Sequence, residues 1–565
     1  MLRIRRYPIL AMDLGLLAIL LITLCSSFRS SDLPSPFFDG THEAGIRFHH
    51  QRGASKAKHL VETMGSGCAL FDYDQDGSLD VLLINGGLTP DSPIKKGEHG
   101  LFHNLGSGKF EDVSAKAGIT SNGAYGMGVA IGDYNNDGYP DVFVTNFGPN
   151  LLFRNNRDGT FTDITREAGI AGSGWSTSAA FFDFDRDGFL DLFVARYLDY
   201  SYQSKLHCAE KGIHSYCHPR HFSGLTNKLY RNLGDGRFLD VSEVSGLAKT
   251  VGKGLGVVAA DFDGDGWTDL YVANDGVRNL LYKNNGDGTF KDMTFVSGTG
   301  YNSEGEAEAG MGVDVGDYNG DGLMDLVVTN YDLETNALYR NEGRWLFSDE
   351  RWQAGIAQPG LELLGFGVGF LDFDNDRDQD LLVVNGHVLD NIELIRDNLR
   401  YAEPMQLFEN RGGRFLEHLP FSQYAVKSPR VGRGASFGDI DNDGDVDVLV
   451  SNSGEEPTLL VNQTDGKKNW ILIKLVGKRT NRDAVGAMVS VTTDQGTRSA
   501  QVIGGRSYLS ASDLRLPFGL GDSKAIRQLK VNWPGGSVGM FESVRINQVI
   551  TITEGAKRID YGRKL

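Results

Sequence analysis

Aspartate recurs in this sequence at a spacing that suits capture of a hard cation. The nine residues from Asp261 to Asp269 read DFDGDGWTD, and the pattern returns from Asp72 (DYDQDGSLD), Asp133 (DYNNDGYPD), Asp183 (DFDRDGFLD), Asp317 (DYNGDGLMD), Asp372 (DFDNDRDQD) and Asp439 (DIDNDGDVD). Carboxylates this close repel one another in water, and a bound dication reverses the sign of that interaction. Side-chain oxygens at positions 1, 3, 5 and 9, with the backbone carbonyl of position 7, converge on one ion in such a loop. The candidate ligands are therefore Asp72, Asp74, Asp76, Ser78 and Asp80 in loop 1, and Asp133, Asn135, Asp137, Tyr139 and Asp141 in loop 2. Loop 3 offers Asp183, Asp185, Asp187, Phe189 and Asp191, and loop 4 Asp261, Asp263, Asp265, Trp267 and Asp269. Loop 5 offers Asp317, Asn319, Asp321, Leu323 and Asp325, loop 6 Asp372, Asp374, Asp376, Asp378 and Asp380, and loop 7 Asp439, Asp441, Asp443, Asp445 and Asp447. Glycine at position 6 allows the tight bend. Loop 6 departs from the pattern, with Arg377 in place of that glycine, and predicts a weaker or distorted site.

The flanks decide which kind of loop this is. A bidentate Glu closes an EF-hand at its twelfth position, but Leu83, Val144, Val194, Val272, Val328, Val383 and Val450 stand there, within strand-like runs. The spacing thus predicts strand-loop-strand sites for up to seven calcium ions. Magnesium prefers to keep several waters and fits such a cage less well. Seven dications would offset most of the net charge of -18.

Each acidic loop sits in a longer unit, with starts 50 to 78 residues apart. A glycine-rich apolar stretch such as GLGVVAA precedes it; a short apolar run, a segment such as LYRN or LYKN, and a GDGTF-x-D turn follow. That is room for about four short strands, the content of one propeller blade. The tail of a unit, FFDGTHEAGI at Phe37 to Ile46, lies before the first acidic loop, and none follows the last. This permutation predicts a ring closed by pairing the N-terminal strand with the end of the array. After residue 462 the repeat stops, and glycine-punctuated alternation through WILIKLVG, SYLSASDLRLPFGLG, LKVNWPGG and NQVITITEG predicts a small β-sandwich. The expected fold is all-β: a seven-bladed β-propeller over 37–462, then a β-sandwich over 467–557.

Composition bounds the partners. The acidic balance repels phosphate backbones, which argues against nucleic acid. Residues 1–30 combine Arg3, Arg5 and Arg6 with an apolar run from Leu14 to Cys25, the form of an export signal or signal anchor. The body is expected outside the cytoplasm, extracellular, periplasmic or at the cell surface, and meets a membrane only through that segment. Cys208 and Cys217 are then expected to pair as a disulfide, and Cys68 to be a buried hydrophobe.

The seven loops resemble FG-GAP repeats, also described as VCBS repeats, of integrin α-subunit heads and many secreted bacterial proteins. That resemblance implies calcium-binding seven-bladed propellers. The later motifs look like an ASPIC/UnbV domain, an arrangement similar to the cartilage acidic protein family and its bacterial relatives. It implies an extracellular calcium-binding protein with adhesive or matrix roles, and implies no catalytic residue.

Two functions are compatible with these residues. One is a non-catalytic module whose loops bind an extracellular protein or a glycan while calcium holds them rigid. The other is an extracellular lyase or hydrolase acting on a polysaccharide. No H-E-x-x-H motif is present. The feature nearest to a catalytic cluster is the insertion HCAEKGIHSYCHPRHF, with His207, His214, His218 and His221. It reads either as a transition-metal site or as a disulfide-pinned surface loop. Tyr197, Tyr200, Tyr202 and Tyr216 nearby are candidate contact residues.

Overall fold

A computed structural model describes residues 35–561 apart from 88, 93–96, 107, 171, 205, 427 and 465–467. The expected export segment, residues 1–30, lies outside the described residues. Among the described residues no helix is long and apolar enough to cross a membrane.

Between Phe37 and Asn462 the chain forms seven four-stranded antiparallel sheets. Sheet 1 takes Cys68–Phe71, Asp80–Leu83, Gly100–Asn104 and Phe110–Asp112 in order, and the next five sheets repeat this plan. The seventh is completed from the other end of the array: Phe37–Asp39 pairs antiparallel with Thr458–Asn462, in the register Phe37 to Asn462. The first strand of each sheet lies against the first strand of the next, and the last of these returns to Cys68–Phe71. The sheets therefore surround a common axis, and the inner edge strands are short and packed against one another.

The strand sequences follow from this placement. Inner strands such as Gly254–Ala260 and second strands such as Asp269–Asn274 are buried throughout, so they read as continuous apolar runs. Glycine recurs in the inner strands because neighbours approach closely; a Cβ on Gly256 would lie 2.4 Å from the Met311 carbonyl oxygen. Outer strands such as Phe290–Asp292 bury only their first residue.

The second domain is a sandwich of a three-stranded sheet (Leu516–Gly521, Asn469–Val476, Val549–Thr553) and a four-stranded sheet (Gly496–Gln501, Met488–Thr493, Ile526–Asn532, Val538–Val544). Ile471, Ile473, Val489, Val491, Leu529 and Ile550 share its apolar centre. One stretch differs from the sequence expectation. Residues 504–515, which alternate like a strand, leave the sandwich and run along the axis of the ring. Ser507 exchanges two backbone hydrogen bonds with Val313, the Leu509 carbonyl accepts from Val129, and Ala511 bonds both Cys68 and Leu70. Tyr508 and Leu509 are fully buried, and the Tyr508 hydroxyl donates to the Met64 carbonyl at 2.8 Å. The segment does not alternate in burial, since Ser507, Tyr508, Leu509 and Ser510 are all buried against the ring.

Candidate metal centres and the insertion face

Every acidic loop joins the first strand of a sheet to the second, so all seven open on one face of the ring. Their backbone plan is shared. The carboxylate at position 1 accepts the amide of position 6 at 2.6 to 3.1 Å in all seven, from Gly77, Gly138, Gly188, Gly266, Gly322, Arg377 and Gly444. Position 6 is left-handed throughout, including Arg377 at φ 86°. Loop 6 therefore keeps the common plan, and the expected distortion is not observed. Its arginine is explained by the second domain, since Arg377 donates to the Gln495 and Gly496 carbonyl oxygens at 2.8 and 3.2 Å. Position 4 is left-handed as well, from Gln75 at φ 63° to Asn442 at φ 59°.

The aspartate at position 9 opens the second strand and is buried in every loop. One of its oxygens accepts the amide of an asparagine, Asn104, Asn155, Asn232, Asn284, Asn341, Asn410 or Asn462, at 2.7 to 2.8 Å. The side-chain amide of the same asparagine donates across the sheet boundary to the position-2 carbonyl of the preceding loop: Asn284 reaches Phe184, and Asn104 reaches Ile440 to close the ring. Sequence reasoning missed this device, although its signal was the invariant last residue of LYRN, LYKN and LFEN.

What remains unpaired fits a cation. Asp72 Oδ1, Asp183 Oδ1 and Asp317 Oδ1 at position 1, and Asp141 Oδ2 and Asp325 Oδ2 at position 9, are buried with no hydrogen-bond partner. Ligand oxygens of Asp72, Asp74 and Asp80, of Asp183, Asp185 and Asp191, of Asp261, Asp263 and Asp265, and of Asp372, Asp374 and Asp380 lie within 4.8 Å of one another. Burial, reinforced by neighbouring carboxylates, raises Asp80 and Asp325 to about 8, Asp133, Asp183 and Asp439 to about 7, and Asp317 to about 6. Asp141, Asp191, Asp269, Asp380 and Asp447 are pushed well above the usual carboxylate range for the same reason. Without a cation these groups favour protons. The chain's own cations meet mainly carboxylates at positions 3 and 5: Arg157 meets Asp137 at 3.0 Å, Arg231 meets Asp185 at 2.7 Å, Lys283 bridges Asp263 and Asp265, and Lys468 meets Asp374 at 3.5 Å, while Lys474 stands 3.9 Å from Asp72 at position 1.

The second domain covers this face. Lys474 donates to Gln75, Asp483 accepts the Asp133 amide, Gln501 accepts the Asp261 amide, Arg498 donates to Asp378, and Arg515 donates to Asn442 and to the Asp439 carbonyl. Loops 3 and 5 are met by close approach, of the Arg479 carbonyl to Gly188 and of the Arg498 guanidinium to Gly320.

Connections between second and third strands open on the opposite face, where the long insertion of sheet 3 lies. Cys208 and Cys217 are disulfide-bonded there, and Cys68 is free and buried. The four histidines do not act alike: His207 and His214 stack with ring centroids 4.4 Å apart, whereas His218 accepts the Arg220 amide at the start of a helical turn, Pro219–His221. Tyr197 and Tyr216 are core residues, their hydroxyls bonded to Asp275 and Glu62, and so are not available for contact. Tyr200 and Tyr202 are half-buried and line a cavity of about 420 Å³ between the insertion and the segment around His59.

An FG-GAP-like repeat model matches residues 72–144, 133–194, 222–272, 261–328 and 317–383, and an ASPIC and UnbV model matches 477–559. Cartilage acidic protein 1 of Xenopus tropicalis is 25% identical over 504 residues, 84% of this chain and 70% of that one. Cartilage acidic protein 1 of Homo sapiens is 27% identical over 314 residues, 53% of this chain and 43% of that one. Among solved structures, an Agrocybe aegerita lectin studied for recognition of non-reducing terminal N-acetylglucosamine aligns with a TM-score of 0.41 and 15% identity, over 71% of this chain and 95% of that one. Repeat matches over half of its length, on a ring of four-stranded sheets with acidic loops on one face, make this chain a member of the FG-GAP-like repeat family, with an ASPIC and UnbV domain after the repeats.

Proposed function

We propose that this chain is an exported, calcium-loaded propeller that binds an extracellular protein or glycan through its insertion face and catalyses no reaction. The observation that carries the reading is the seating of the second domain. Its strands cover the acidic loops, and residues 504–515 take up the axis, so the chain's own residues occupy two of the surfaces a propeller can offer a ligand. The face that remains carries the longest connections and the disulfide-pinned insertion. Calcium at the acidic loops acts at a distance: it fixes the first and second strands of each sheet, and the connections on the opposite face extend from the same strands. A disulfide in the insertion suits an oxidising compartment, which supports export.

The test is a protein and glycan array probed with calcium and again with chelator, alongside a variant in which 203–218 are replaced by a short glycine-serine turn. The expected result is binding that is lost in both the chelated protein and the variant. Binding that survives both, or turnover of a polysaccharide by the purified protein, would contradict the reading.

A further inference from the structure

The cavity on the insertion face contains polar atoms with nothing to bond. His59 is buried, and its Nε2 has no hydrogen-bond partner; the nearest acceptor, Asp91 Oδ2, is 3.5 Å away. The Tyr202 hydroxyl is also buried and unpartnered, with its ring edge-on to the His59 ring at 4.9 Å between centroids. Burying such groups without partners is unfavourable, and a ligand supplying the missing bonds recovers that cost on binding.

On the other side of the ring His59 Nδ1 lies 3.1 Å from the Tyr200 hydroxyl, and His59 Nε2 faces the Asp91 carboxylate at ion-pair distance. A ligand bearing neighbouring hydroxyls meets both groups, one hydroxyl bonding His59 Nε2 and the next donating to the Asp91 carboxylate. Around these atoms stand aromatic rings: Tyr200 packs edge-on to Phe222 at 5.2 Å, and the stacked His207 and His214 form the outer wall. Hydroxyls on one edge and C–H faces on the other describe a sugar ring.

We infer that this cavity is a saccharide subsite, with separate hydroxyls of one sugar residue meeting His59, Asp91 and Tyr202 and its ring lying against the aromatic wall. The inference rests on the proposed role of the insertion face and names its ligand class. The cavity residues come from the segment before the first sheet, from its second-to-third strand connection, and from the sheet 3 insertion.

Saturation-transfer NMR on the full calcium-loaded chain, with the methyl glycosides of glucose, galactose, N-acetylglucosamine and glucuronic acid at millimolar concentration, tests it. The expected result is transfer to ring protons of at least one glycoside, weakened about 10-fold in Asp91→Asn and in Tyr202→Phe, each of which removes a single bonding group. Asp91 is largely exposed, so its substitution leaves the fold intact. No transfer to any of the four, or transfer unchanged in both variants, overturns the inference. If proteins on the array still bind through the insertion while no glycoside does, the subsite falls and the broader reading stands; if nothing binds, both fall.

Discussion

Each asparagine that closes a LYRN-like segment serves three acceptors at once, and it is at this scale that the ring is tied together. Replacing Asn284 with alanine leaves the carbonyls of Phe184 and Thr268 without their donor inside the ring. Chemical denaturation should show a loss of about 2–4 kcal/mol, against less than about 0.5 kcal/mol for Asn285→Ala at the exposed neighbour. A second residue-scale prediction concerns Lys283, whose ammonium bridges Asp263 and Asp265. If the loop takes calcium as proposed, this ammonium competes with it, so Lys283→Met should raise the affinity of one site several-fold in a calorimetric titration without changing the number of sites. An unchanged affinity would show that the lysine and the ion use different oxygens.

At the scale of the elements, the acidic loops set a pH dependence. Burial holds Asp80, Asp325, Asp133, Asp183, Asp439 and Asp317 between about 6 and about 8, above the ordinary value of 3.8, so the cation-free fold binds more protons than the unfolded chain across that window. The stability this confers is full at acid pH and is lost as pH rises through the folded values. On the proposed reading calcium displaces those protons, so its affinity should rise over the same range. Melting temperature in chelator should therefore fall from pH 5 to pH 8, and the difference between loaded and chelated protein should widen. The loops and their strands were legible in the sequence because each ligand spacing and each apolar run repeats seven times. Position 4 was less legible: its left-handed backbone is carried by glycine in loops 4 and 5 but by Gln75 and Arg186 in loops 1 and 3, which give no such signal. Arg377 misled for a related reason, since its side chain answers to the second domain and not to its own loop.

At the scale of the whole molecule, the second domain and the ring form one packed body. Tyr508 stands at the centre of that packing, edge-on to Phe366 at 4.8 Å and bonded to Met64. Tyr508→Ala should cost about 3–5 kcal/mol and open the axis to solvent, read as a lowered melting temperature with faster proteolysis at the 504–515 segment. Nothing in the apolar pattern of SYLSASD distinguishes a strand of the sandwich from a plug of the ring; the burial of Ser507, Tyr508, Leu509 and Ser510 in succession comes from the tertiary partner alone. The same holds for the cavity at His59, whose walls come from three distant segments and whose unpartnered atoms no spacing reveals. The central claim is that repulsion among the acidic loops is relieved by dications. The most direct test is calorimetric titration of chelated protein with calcium, followed by thermal melting of the titrated sample. The account predicts several bound ions per chain, up to seven, and a stabilisation of about 1.4 kcal/mol per site at about 1 mM free calcium for sites of roughly 10⁻⁴ M affinity. No binding heat, together with a melting temperature indifferent to chelator, would contradict it.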